Sequence, residues 1–281
     1  MLPFWTSIAA LSIVQGALVA APRPLSAVLP ARLSGRRWAL IPPLSVLGFV
    51  LIAGAAERAS AQGLTYLALI AVPLLAVLAL GWLSAGARPR WVIFAPALFV
   101  LAWADRGALP GEATALALSA LSCVTLGVLL AALTPPRWLA AGVIAMALAD
   151  TVLVVADLLQ RPNNALNAAH PAAGLPRLQS AVFGSAVMGY GDLFIAGVLG
   201  GLLAAGVGRS TQLRAAALTA VLALCFDLLF LLVKELPATV PVALALLLTA
   251  AGGRRRSARR RSPRQERPAA GASRARAPAA P

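Results

Sequence analysis

Nine apolar segments follow one another along the chain, at about 3–21, 38–56, 63–86, 91–104, 113–133, 138–159, 179–206, 214–233 and 236–252. A spanning helix needs roughly 20 apolar residues, so the fourth and ninth are short. The segments are too long and too continuously apolar for barrel strands. Backbone groups in lipid find their partners inside a helix when no closed barrel is available. The pattern therefore predicts an all-α polytopic membrane protein with about nine transmembrane helices. Residues 1–134 hold the first five spans, 135–253 spans six to nine, and 254–281 an arginine-rich tail.

Composition agrees with the pattern: 60% of residues are hydrophobic and 12% charged, with a mean hydropathy of +0.85. The net charge of +15 would suggest a nucleic-acid partner if read alone, but its distribution argues against one. Ten arginines lie beyond residue 253, and most of the others occupy short loops. Counted in alternate loops, nineteen of the 24 basic residues fall on one side and five on the other. Cytoplasmic loops carry the excess, so the N-terminus is expected outside and the C-terminus in the cytoplasm. A multi-pass protein of a prokaryotic plasma membrane is the corresponding localisation. The tail from Arg254 is expected to be disordered and to lie against anionic lipid. No basic residue precedes the first apolar run, so that run is expected to stay in the protein as a span.

Polar residues inside spans narrow the chemistry. Cys123 and Cys225 have no metal-ligand spacing and are expected to be ordinary buried thiols. His170 is the only histidine and lies in a polar loop, so no metal and no cofactor are expected. Glu57, Asp105, Glu112 and Glu235 sit near span ends, where snorkelling or capping explains them, and Glu266 is in the tail. Asp150, Asp157, Asp192 and Asp227 lie within spans, where carboxylates mark chemistry or transport.

Depth separates these four. Taking span seven as a continuous helix from Gln179, Asp192 lies about 20 Å from its outer end. Asp150 lies roughly 14 Å and Asp157 about 3 Å from the outer end of span six, and Asp227 roughly 9 Å from the end of span eight. Asp150 is therefore the expected partner of Asp192. Two carboxyls at one depth cannot both ionise in a low dielectric, so they share a proton. The ionised one activates water against a peptide carbonyl and the protonated one donates to the developing oxyanion. Span seven is also rich in glycine, with Gly184, Gly189, Gly191, Gly197, Gly200, Gly201 and Gly206. Close helix packing explains most of these; Gly189 and Gly191 stand beside the acid, where a substrate strand can approach the backbone. Pro237 and Pro241 break the last span, which predicts an extended segment there.

Asp150 in Leu148-Ala149-Asp150, the run Gly189-Tyr190-Gly191-Asp192 and the segment Leu236-Pro237-Ala238-Thr239 occur in that order. In this the chain resembles the GxGD intramembrane aspartyl proteases, the group of presenilin and signal peptide peptidase. The resemblance covers about residues 138–251 and implies a presenilin-like fold with 135–253 as catalytic core. It makes Asp150 and Asp192 the catalytic pair and Gly189, Tyr190, Gly191, Pro237, Ala238 and Thr239 the motif and substrate-positioning residues. Transmembrane peptides and remnant signal peptides would be the substrates. The chain departs from the family at Ala149, where a tyrosine is usual, and at Thr239, where the family has leucine. Type IV prepilin peptidases share GxGD but usually carry lysine where this chain has Phe194. A proton-coupled transporter using Asp227, and a scaffold that binds helical peptides without turnover, are the alternatives outside this chemistry.

Overall fold

The computed structural model describes residues 2–25, 32–233 and 235–261. Met1–Leu246 forms one unit; Leu247–Pro281, described as far as Arg261, is a second and continues the last helix. Ten α-helices account for most of the described chain: α1 (Phe4–Ala20), α2 (Ile41–Ala55), α3 (Glu57–Leu78), α4 (Phe94–Ala104), α5 (Leu109–Leu133), α6 (Pro136–Val155), α7 (Gln160–Ala168), α8 (Tyr190–Gly206), α9 (Arg209–Asp227) and α10 (Val240–Arg261). Each apolar segment contains a helix. Among the described residues, four helical segments are long and apolar enough to cross a membrane, Glu57–Leu83, Leu109–Leu133, Pro136–Val155 and Arg209–Leu231. Phe4–Ala20, Pro89–Ala104, Tyr190–Gly206 and Val240–Gly252 are apolar but shorter.

Span seven is not one helix. Ser180–Phe183 (β1) and Ala186–Gly189 (β2) form an antiparallel hairpin, and α8 begins only at Tyr190. The depth of Asp192 reckoned along a continuous helix from Gln179 therefore does not apply. The break is local chemistry: Gly184-Ser185 makes the two-residue turn, with Gly184 at a φ of 62° that side-chain-bearing residues rarely adopt. The turn amides find partners on two other helices. Glu112 accepts from the Gly184 N–H at 2.7 Å, and the Ser7 hydroxyl accepts from the Ser185 N–H at 3.2 Å. Gly184 thus belongs to a turn and not to a helix.

The last span also differs from expectation. Glu235–Pro237 has no regular structure and Ala238-Thr239 is a turn, as the prolines predict. Pro241, however, lies in the first turn of α10, where a missing N–H is tolerated, so it starts that helix and does not break it. α10 runs on through Arg261, so the first residues of the tail expected to be unfolded are helical. The remainder, 262–281, lies outside the described residues.

Helix α8 is the axis of the packing. Leu193 to Leu203 are buried without interruption, as expected of a helix apolar on all sides. Its glycines place it in backbone contact with neighbours: a Cβ on Gly197 would strike the Cys123 carbonyl, and one on Gly201 the Gly127 carbonyl, both on α5. On another side Gly200 packs against the carbonyls of Leu18 and Val19 of α1. This is the close helix packing that small residues permit. By contrast α6 lies against the segment before α2, with Gly142 against the Ala39 carbonyl. The thiols are both free, Cys123 buried and Cys225 exposed, so only the first is the buried thiol expected.

Candidate functional site

Asp192 occupies the first turn of α8. Its Oδ2 accepts from the Gly189 N–H at 3.1 Å, so the carboxylate caps the helix it belongs to. A negative group there is also favoured by the helix dipole. Tyr190 holds this helix start against α5 through its hydroxyl, 2.6 Å from that of Ser122.

Asp150 comes to the same place from α6. It is 7% exposed and near enough to Asp192 for the two carboxyls to act on each other electrostatically. Met146, one helical turn before Asp150, brings its methyl against Gly191, so one face of α6 meets the start of α8. The third motif closes the site. Thr239, fully buried, donates its hydroxyl to Asp150 Oδ2 at 2.6 Å. Pro237 is buried and Ala238 half-buried beside it. The structure thus brings Asp150, Asp192, Gly189, Tyr190, Gly191 and the Pro237-Ala238-Thr239 segment to one place.

Two other acids stay apart. Asp157 is exposed, with a φ of 56°, and it terminates α6: its N–H bonds to the Val154 carbonyl and the Leu158 N–H to the Leu153 carbonyl. That is a left-handed helix cap of the Schellman type, which an aspartate tolerates. Asp227, half-buried at the end of α9, accepts from the Ser12 hydroxyl of α1 at 2.6 Å.

One residue at the site gave no signal in its own neighbourhood. Gln15 of α1 is fully buried and donates from Nε2 to the carbonyl of Ala238 at 2.8 Å and to that of Asp192 at 3.3 Å. A glutamine in the middle of the first span is the one clue the sequence holds to this contact. The hairpin also had a signal, the Gly184-Ser185 pair between Val182-Phe183 and Ala186-Val187. Compared with known proteins, the chain matches no family model, no curated protein and no solved structure.

Proposed function

We propose that the protein is an intramembrane aspartyl protease of the GxGD kind, with Asp150 and Asp192 as its general acid/base pair. The observation that carries this reading is the convergence of α6 on the start of α8, Met146 against Gly191, with Thr239 bonded to Asp150 and the neighbouring Ala238 tied through Gln15 to Asp192. One proton on the pair suffices for hydrolysis. The ionised carboxylate takes a proton from water as the water oxygen attacks the peptide carbonyl carbon, and the protonated carboxyl gives its proton to the carbonyl oxygen. The resulting gem-diol returns a proton, by way of the pair, to the departing nitrogen as the C–N bond breaks. Turnover should therefore pass through a maximum in pH, falling when the pair takes a second proton and when it loses its last.

A peptide bond inside a helix is shielded by its own hydrogen bonds, so the substrate must be unwound. Non-helical backbone borders the acids on two sides, the strand β2 running directly into Gly189-Tyr190-Gly191-Asp192 and the irregular 235–239 segment beside Asp150. A two-stranded ribbon leaves strand edges able to pair with an extended peptide. Transmembrane segments and remnant signal peptides are the substrate class. The protein would be a multi-pass membrane protein with its C-terminus in the cytoplasm, the basic tail lying on anionic lipid. Phe194, 8% exposed, supports a presenilin-like over a prepilin-peptidase-like reading, because an unpaired lysine at that buried place would be costly.

The test is cleavage of a membrane-spanning peptide by purified protein in lipid. Asp150→Ala and Asp192→Ala should each abolish it. Activity surviving Asp192→Ala would sink the reading.

A further inference from the structure

Gln15 lies in a part of the chain from which no motif could be read, yet its side chain joins two motifs. Both its partners are carbonyl oxygens, those of Asp192 and Ala238. Only the NH2 end of an amide can serve two carbonyls, so the orientation of the side chain follows from its partners. Among the described residues its Oε1 has no hydrogen-bond partner, although the residue is fully buried. Burying an amide with one end unsatisfied works against stability. A tie between helices does not require that cost. Ser12, one turn earlier on α1, binds Asp227 of α9 with a single hydroxyl.

The arrangement makes sense through what each carbonyl is attached to. Asp192 carries one acid. Ala238 is followed by Thr239, whose hydroxyl holds the other acid, Asp150. A short bonded path therefore runs from the Asp192 backbone through Gln15, Ala238 and Thr239 to the Asp150 carboxyl. We infer that Gln15 is a positioning residue that sets the separation of the two carboxyls by tying the segment ahead of α10 to the first turn of α8. Losing this tie leaves both acids in the protein but lets the 235–239 segment, and with it Asp150, drift relative to Asp192. Turnover then falls while substrate affinity stays.

The inference rests on the proteolytic reading, so its test has one arm that needs no proteolysis. Gln15→Met keeps the volume and removes both donors; Ser12→Ala removes a comparable bond of the same helix away from the acids. In full-length protein, kcat and KM would be measured on a membrane-spanning peptide, and amide hydrogen exchange followed across residues 235–243. Gln15→Met should lower kcat about tenfold or more, the loss of roughly one buried hydrogen bond in the transition state. KM should stay within about twofold and exchange in that segment should speed up, whereas Ser12→Ala should change neither kcat nor that exchange. If Gln15→Met does not fold, Gln15→Glu, which keeps the shape but at most one donor, takes its place. Equal losses of kcat in the Gln15 and Ser12 variants, or unchanged exchange at 235–243, would overturn the inference. A wild-type protein that cleaves no such peptide would remove the proteolytic reading alone, and the exchange measurement would still decide whether Gln15 ties the two segments.

Discussion

Two places in this molecule have the same local chemistry. At one, the Thr239 hydroxyl meets Asp150; at the other, the Ser12 hydroxyl meets Asp227, and both bonds are 2.6 Å long. Each joins segments far apart in sequence, and each satisfies a carboxyl that would otherwise sit unpaired among apolar helices. The surroundings separate them. Asp227 has the Ser12 hydroxyl as its hydrogen-bond donor at the end of α9. Asp150 has a second carboxyl within electrostatic reach, a helix start opposite it and irregular backbone beside it. A hydroxyl–carboxylate contact between helices is thus a fastening in itself; it becomes a candidate for catalysis when a second acid and non-helical backbone share the place.

Substitutions at the two places should behave differently. The largest contrast is between acids: Asp192→Ala and Asp150→Ala should end peptide cleavage, while Asp227→Asn should keep most of it. An Asp227→Asn protein as dead as Asp192→Ala would join the two places into one and favour a proton relay. Next come the hydroxyls. A hydrogen bond to a charged group contributes about 1.5–3 kcal/mol, so Thr239→Val should reduce kcat roughly 10- to 100-fold. Ser12→Ala should instead appear as lost thermal stability of that same order with kcat retained. Thr239→Leu is informative too, since it removes the same donor and should resemble Thr239→Val. Pro237→Ala should lower turnover more than folded yield; equal losses would make the proline purely structural. Smallest, and confined to stability, is Gly184→Ala: left-handed backbone costs a side-chain-bearing residue about 1–3 kcal/mol, and the new Cβ would strike Ser7. A thermal melt reads that change, and an unaltered melting temperature would mean that the hairpin turn is not held as described.

Much of this contrast was legible in the sequence. Apolar run lengths identified the helical segments, and the costs of intramembrane acids picked out Asp150, Asp192 and Asp227 as the ones needing explanation. Asp157 was set aside for its shallow depth, and the structure supplies the reason it is there, as a left-handed cap. Only the Gly184-Ser185 pair marks the hairpin, because hydropathy by itself does not distinguish buried strand from buried helix. Thr239 looked like a departure from a pattern when read alone. Its hydroxyl has meaning only beside Asp150, and Gln15 only beside Ala238 and Asp192. Contacts between residues so far apart in the chain are decided by packing, which local periodicity does not encode.

The glycine contacts of α8 carry a mechanical consequence. A helix whose backbone lies directly on α5 and on α1 has no cushion of flexible side chains to absorb a tilt. It behaves as the fixed jaw of a vice. Gln15 clamps the stretch ahead of α10 to that jaw, and Thr239 fastens Asp150 to the stretch. Both carboxyls are thus referred to the same fixed helix, and a peptide would meet a pair that already stands assembled.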